Sequence, residues 1–189
     1  GQVAFGDTAS VVFYNTSHTI DSTFNVRLVA SSNNCYDTAY VPITAYAVPQ
    51  SYFTIDKGES CAPYNLTFNN LSIPQTNPAY HYLWKFDVNN VNPLVDTTTL
   101  DTIATQFTKY FENTDTGTLG HLIELKVVSN RGCSNTSNQL FSLHPHVEAR
   151  FIPSDSAGCS PLEVLFTNTS LRADYYKWSF GPLDTTGAI

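Results

Sequence analysis

Landmark residues recur along this chain at a constant spacing of 98 positions. A recurrence of this length is typical of serial domains that share one fold, and it restricts each unit to about 98 residues. The recurring pairs are Phe53 and Phe151, Cys61 and Cys159, Phe68 and Phe166, and Cys35 and Cys133.

The landmarks form two sets that occupy different parts of a unit. The first set consists of Phe, Cys-x-Pro, an apolar strand, Asn-x-Ser and Trp, and it occurs at 53–84 and 151–178. The second consists of an alternating strand, a turn and Cys, and it occurs at 24–38 and 122–136. The predicted organisation is therefore the C-terminal half of a domain at 1–48, a complete domain at 49–146 and the N-terminal half of a further domain at 147–189.

The recurring phrases alternate apolar and polar residues, which is the pattern of a half-buried β-strand. In YNLTFNN, for example, Leu66 shares a face with Phe68, and turn sequences such as DKGES and SNRG separate the strands. About seven short strands per unit, with a Trp on the third, predict an all-β fold of tandem immunoglobulin-like β-sandwiches. The predicted core residues are Phe68, Trp84, Phe166 and Trp178.

The order of these residues resembles a known repeat. Cys61-Ala62-Pro63, LTFN and Trp84-Lys85-Phe86, followed later by GCSPL, FTNTS and YKWSFG, are similar to the PKD (polycystic kidney disease) domain. The version with two cysteines resembles repeats of secreted Bacteroidota surface proteins. The resemblance implies a rod of sandwiches outside the cell or on its surface. The family's Trp-Asp-Phe-Gly-Asp-Gly turn is replaced by WKFDV at 84–88 and WSFGP at 178–182.

The charge and composition of the chain limit the classes of binding partner that can be expected. Charged residues make up 13% of the chain, the formal net charge is −7, and the nine Lys and Arg residues are scattered singly. Because such a surface lacks a basic patch, nucleic acid is not an expected partner. No apolar run approaches the roughly 18 residues of a membrane span. Four cysteines without a CxxC pair favour an oxidising, extracellular location over zinc binding.

The four cysteines are candidates for disulfides. In this kind of sandwich Cys61 and Cys133 would lie at opposite ends of one domain, roughly 20 Å apart and beyond disulfide reach. We therefore expect Cys61 to bridge to the following domain and Cys133 to the preceding one. A Cys61–Cys133 bridge and free thiols are the alternatives. Cys159 and Cys35 hold the equivalent positions one repeat away.

Asp precedes Ser or Thr more often than random order predicts. Eight of the eleven Asp residues do so, and in seven of these pairs Ala, Ile or Thr follows. The pattern resembles the O-glycosylation signal of exported Bacteroidota proteins, and it is also ordinary turn chemistry. The candidate O-glycosylation sites are Thr8, Ser22, Thr38, Thr97, Thr102, Ser156 and Thr185.

No catalytic site is predicted from the sequence. Gly-x-Ser-x-Gly, His-Glu-x-x-His and a Gly-rich phosphate loop are all missing from it. His144 and His146 are weak candidates for metal ligands, because they share one face of an extended segment but no third ligand is nearby. We expect no cofactor and no enzymatic activity.

These observations favour a structural repeat of an extracellular stalk, filament or adhesin. Its expected partners are neighbouring repeats of the same chain, other filament subunits and surface glycans. The alternative is a carbohydrate-binding or accessory module of a secreted hydrolase, since PKD modules also occur beside catalytic domains.

Overall fold

The computed structural model describes residues 3–87 and 100–181, in which all regular secondary structure is β-strand. The predicted all-β class is confirmed, and the described residues contain no helix that could cross a membrane. The strands are β1 (Ser22–Ser32), β2 (Cys35–Ala45), β3 (Phe53–Ile55), β4 (Glu59–Cys61), β5 (Tyr64–Asn70), β6 (Tyr80–Lys85), β7 (Leu100–Asp101), β8 (Gln106–Phe111), β9 (Leu119–Ser129), β10 (Ser134–His144), β11 (Phe151–Pro153) and β12 (Phe166–Asn168).

Two sheets formed by β3 to β10 enclose one apolar core. The larger sheet has the order β4-β10-β9-β6-β7, and the smaller has the order β3-β5-β8. Paired strands are antiparallel except β4, which runs parallel to β10. Residues from both sheets share a single buried cluster, which is the layered arrangement of a β-sandwich. We call this unit the central sandwich.

The first strand of the central sandwich is divided between the two sheets. β3 pairs with β5, whereas β4, three residues further on, pairs with β10. The turn sequence Asp56-Lys57-Gly58 lies between them. The described part of this unit therefore has eight strands, one more than the approximate number that the sequence predicts.

Alternation places the large apolar side chains of the central sandwich inside. Leu66 and Phe68 of β5 and Trp84 of β6 are fully buried. The Trp84 ring lies edge-on to the rings of Phe53 and Phe107, with centroids 4.9 and 5.0 Å away. Edge-to-face contacts of this kind stabilise a core beyond the burial of area alone.

The flanking segments form small open sheets. β1 pairs only with β2, and β11 only with β12, among the described residues. Phe166 and Trp178 were predicted to be core residues, but Phe166 is only half-buried and Trp178 is 41% exposed. The physical reason is that no second sheet covers them in the part of the chain that the structure describes.

The 98-residue repeat extends to individual hydrogen bonds. Asn70 Oδ1 accepts the Ser72 N–H at 3.1 Å, and Asn168 Oδ1 accepts the Ser170 N–H at 2.9 Å. The local geometry of the C-terminal flanking segment therefore matches that of the central sandwich. Further equivalent contacts join Leu71 to Tyr52 and Thr169 to Arg150, and the isolated bridges pair Gln50 with Ile73 and Glu148 with Leu171.

Candidate functional site

Histidine–carboxylate pairs on the central sandwich are isolated from one another. His81 Nδ1 lies 2.7 Å from Asp101 Oδ2 on an exposed edge, and His121 forms a close, largely buried pair with Asp87. Neither pair gathers a third ligand. Within residues 3–87 and 100–181 there is no group of three His, Cys, Asp or Glu residues that could hold a metal ion.

His144 lies at the end of β10 between a hydroxyl and a carboxylate. Its Nδ1 is 2.9 Å from Thr118 Oγ1, and its Nε2 is 3.7 Å from Glu59 Oε2. These are the residue types of a nucleophilic triad, but the second distance exceeds a hydrogen bond and the Glu59 side chain is 77% exposed. The metal candidate His146 follows two residues later, where its backbone N–H donates to Asn113 O.

Polar contacts instead concentrate where the chain enters the central sandwich. Asp21 Oδ1 accepts the Ala47 N–H at 2.9 Å, and His18 Nδ1 lies 2.9 Å from Val48 O. The Arg131 guanidinium of the β9–β10 turn lies 5.1 Å from the Tyr46 ring centroid, within cation–π range. This N-terminal junction is thus fixed by contacts from both sides of the boundary.

Ser51 attaches the entering chain to the larger sheet. Its hydroxyl donates to Leu125 O at 2.7 Å and lies 2.8 Å from Ser137 Oγ. Its N–H donates to Asn135 Oδ1 at 2.9 Å. The segment is therefore held against β9 and β10 before β3 begins.

A second set of contacts lies where the chain leaves the central sandwich. Arg172 Nε donates to His146 O at 2.5 Å, and Arg172 Nη1 donates to Thr114 O at 3.4 Å. Arg172 belongs to the C-terminal flanking segment, while Thr114 belongs to the central sandwich. This C-terminal junction is consequently bridged by one long side chain.

A fully buried amide, Asn113, supports the C-terminal junction. Its Nδ2 donates to Gly117 O and to Leu143 O, both at 2.8 Å, and its Oδ1 accepts the Asp115 N–H at 2.9 Å. Sequence reasoning missed this residue. The signal that would have found it is the repeat itself, since Asn15, 98 positions earlier, makes the equivalent bond to Ala45 O at 3.0 Å.

Two of the four cysteines, Cys61 and Cys133, are placed at the two junctions. Cys61 lies opposite His144 in the β4–β10 pairing, whereas Cys133 precedes the other end of β10. Eleven strand residues separate these ends by about 36 Å, so a bond between Cys61 and Cys133 is excluded in this structure. All four cysteines are free thiols, and Cys35 and Cys159 are exposed.

The candidate O-glycosylation sites have different surroundings. Thr8 and Ser156 are exposed, whereas Ser22, Thr38 and Thr102 are half-buried. The Ser22 hydroxyl donates to Asn15 Oδ1, and Thr102 Oγ1 accepts the Ala104 N–H, so both hydroxyls are engaged in local structure. Thr97 and Thr185 lie outside the described residues.

Asp56 and Tyr64 form an exposed acidic pair. Tyr64 Oη donates to Asp56 Oδ2 at 2.7 Å, and the Thr67 N–H donates to Asp56 Oδ1 at 2.9 Å. Partial burial, the largest single influence, raises the pKa of the Asp56 carboxyl, but the hydrogen bonds together outweigh it and leave the pKa below 3.8. The hydrogen bond to Asp56 raises the pKa of the Tyr64 phenol, because it favours the protonated form.

The Asp56 contact predicts a small acid sensitivity. Because the pKa of Asp56 is lower in the folded state, the stability it contributes is complete above the unfolded pKa and is lost as pH falls through the folded pKa. We expect the urea midpoint to fall between about pH 5 and about pH 3, and to fall less in Asp56→Asn. The difference will be small because the pair is exposed. If the urea midpoint falls equally with pH in the unmodified chain and in Asp56→Asn, the contact between Asp56 and Tyr64 contributes nothing to stability.

A concave surface lies on the C-terminal flanking segment. It is an open groove of about 610 Å³ whose lining includes Phe151, Phe166, Trp178 and Phe180.

Comparison with known proteins adds no family: no protein-family model matches the chain, and no curated protein is similar to it.

Proposed function

We propose that this chain is a non-catalytic structural segment of tandem immunoglobulin-like sandwiches of the PKD type, which serves as a spacer in an extracellular stalk, filament or adhesin. The observation that carries the proposal is the construction of the two junctions. Both are short, both have side-chain contacts across the boundary, and neither contains Gly. A junction of this kind transmits orientation from one unit to the next, whereas a Gly/Ser linker would not.

The arrangement of the junctions also supports disulfides between neighbouring units. At the N-terminal junction the β9–β10 turn, which holds Cys133, approaches Tyr46 of the preceding segment. His144 is the equivalent of Tyr46 one repeat later, and it pairs with Cys61. The corresponding turn of a following unit would therefore arrive beside Cys61, as the proposed bridge requires. A non-reducing peptide map of a longer chain that joined Cys61 to Cys133 would rule this out.

Removal of the Arg172 side chain tests the role of the C-terminal junction. We expect Arg172→Ala to broaden the distance distribution from small-angle X-ray scattering, because two bonds across the boundary are lost. Arg150→Ala is the matched control, since the Arg150 side chain pairs with Glu148 within the same segment. Scattering typical of freely jointed units in the unmodified chain would contradict the spacer function.

The second candidate function is carbohydrate binding, and the observation that favours it is the aromatic groove on the C-terminal segment. Aromatic rings that stack on sugars are exposed and arranged in a row. Sedimentation with insoluble cellulose or chitin separates the two candidates. Retention that is lost in Trp178→Ala would favour the carbohydrate-binding function, and recovery in the supernatant would favour the spacer.

A further inference from the structure

The outer side of the smaller sheet of the central sandwich carries only uncharged polar side chains. Leu66 and Phe68 of β5 point into the core, so the residues that alternate with them point outward. The strand register places Asn69 between Thr54 of β3 and Gln106 of β8. We call this surface the uncharged face, and it is formed by Thr54, Asn65, Thr67, Asn69, Gln106, Thr108 and Tyr110.

The larger sheet of the same sandwich has an outer side of the ordinary kind. Its outward positions on β6 and β9 include His81, Lys85, Glu124 and Lys126. Lys85 Nζ lies 3.6 Å from Glu124 Oε1. Mixed charges of this sort are typical of a solvated protein surface. Because the two outer sides belong to one domain, the low charge of the whole chain does not account for the difference between them.

The repeat shows that the fold does not require an uncharged face. The inward phenylalanines of β3 and β5 recur 98 positions later, as the packing of a sandwich demands. The outward residues do not recur. Asn65 is replaced at this spacing by Glu163, and Thr67 is replaced by a leucine, Leu165. The composition of the uncharged face is therefore a property of the central sandwich alone, and it points to what this surface binds.

Two amides on the uncharged face hold each other in a fixed orientation. Gln106 Nε2 donates to Asn69 Oδ1 at 2.7 Å. This bond leaves Asn69 Nδ2 as a donor beside Gln106 Oε1 as an acceptor, and neither atom bonds to another side chain among the described residues. Groups that are oriented before a ligand arrives lose less conformational entropy on binding.

Two exposed tyrosines lie at opposite ends of the uncharged face. Tyr110 of β8 is 54% exposed, and Tyr52, which directly precedes the buried Phe53, is 51% exposed. Tyr110 is paired with Asn65 of β5, whereas the Tyr52 carbonyl accepts the Leu71 N–H at 2.9 Å. Because residues 65–71 form an extended segment, the two tyrosines are separated by about 20 Å along the strands.

The chemistry of the uncharged face limits its possible ligands. It carries no cation that could bind the phosphates of a nucleic acid or the headgroups of an acidic membrane. The carboxylates of Asp56 and Glu112 follow the ends of β3 and β8, so they border the face. A protein partner would need an apolar centre, whereas the middle of this face consists of hydroxyls and amides. The matching ligand is uncharged and carries many hydroxyl groups.

We propose that the uncharged face binds a neutral polysaccharide chain that runs along its strands. The rings of Tyr52 and Tyr110 stack on the apolar C–H faces of two sugar units. The amides of Asn65, Asn69 and Gln106 exchange hydrogen bonds with the hydroxyls of the sugars between them. This binding site goes beyond the spacer function, which needs no ligand, and it is separate from the aromatic groove of the C-terminal segment.

Affinity electrophoresis of the 189-residue chain tests the proposal. The native gels contain mixed-linkage β-glucan, galactomannan or dextran, and we expect at least one of these neutral polysaccharides to slow the unmodified chain. Tyr110→Ala should raise the dissociation constant by about 10-fold, because a stacking ring is lost. Asn69→Asp should have an effect of similar size, since it replaces the donors of the amide by a charge while keeping its shape.

Matched controls carry the same substitutions outside the uncharged face. Tyr175→Ala removes a tyrosine that is 80% exposed on the C-terminal segment, and Asn138→Asp changes an exposed amide on the larger sheet. Both should migrate as the unmodified chain does. None of the substituted side chains is buried, so the urea midpoint should stay the same in all of these variants. An unchanged midpoint separates lost binding from lost folding.

Several results would overturn the proposal. One is unchanged migration of the unmodified chain in every neutral polysaccharide, and another is retardation by anionic polygalacturonate alone. Retardation that Trp178→Ala abolishes and Tyr110→Ala does not would place the binding in the aromatic groove instead. None of these results bears on the spacer function, because the scattering of Arg172→Ala tests that function without a ligand.

Discussion

Replacement of Trp84 by Ala is expected to lower the free energy of unfolding of the central sandwich by about 3–5 kcal/mol. The side chain lies on β6 of the larger sheet, is fully buried and contacts rings of the smaller sheet, including Phe53 and Phe107. Its removal leaves a cavity that the surrounding strands cannot close, because their spacing is set by backbone hydrogen bonds. Urea unfolding followed by far-UV circular dichroism measures the loss.

Trp178→Ala is the matched control for Trp84→Ala. The substitution is chemically identical, but Trp178 is 41% exposed and lies outside the central sandwich. In dilute solution we expect the unfolding midpoint of the central sandwich to stay unchanged. Equal destabilisation by the two substitutions would mean that Trp84 is not the centre of the core.

Asn113→Ala is expected to lower the free energy of unfolding by about 2–4 kcal/mol. The buried amide makes three hydrogen bonds to the backbone, two as donor and one as acceptor. Without it the buried carbonyl of Leu143 loses this partner inside the protein, while the carbonyl of Gly117 and the N–H of Asp115 belong to exposed residues and can bond to water. Unsatisfied buried groups cost more than the hydrogen bonds themselves contribute, so the effect exceeds that of an ordinary polar substitution.

Asn138→Ala provides the comparison for Asn113→Ala. Asn138 lies on β10 with its side chain exposed, so the same substitution there should change the free energy of unfolding by less than about 0.5 kcal/mol. Hydrogen exchange at the amide of His146, which donates to Asn113 O, should speed up only in Asn113→Ala. An unchanged exchange rate at the His146 amide in Asn113→Ala would show that the Asn113 side chain does not stabilise the C-terminal junction.

The sequence was informative where one face of a strand differs from the other. The alternation of apolar and polar residues was enough to identify Phe68 and Trp84 as core residues. Successive side chains of a strand point to opposite faces of the sheet, so the apolar ones share one face. The repeat identified which segments share a local structure, and the equivalent bonds of Asn70 and Asn168 follow it. Patterns of this kind are local, and one strand contains all the information they need.

Whether an inward-facing side chain is buried does not follow from the sequence of its own strand, and only the tertiary structure determined it. Phe166 and Trp178 carry the same pattern as Phe68 and Trp84, yet they remain partly exposed, since burial depends on whether a second sheet lies opposite. The contacts of Arg172 at the C-terminal junction could likewise not be predicted from the sequence, because they join residues that are distant along the chain. The sequence by itself determined the inward faces of β5 and β6 and the repeat. The tertiary structure decided which faces are covered, because covering a face requires a partner that the strand does not specify.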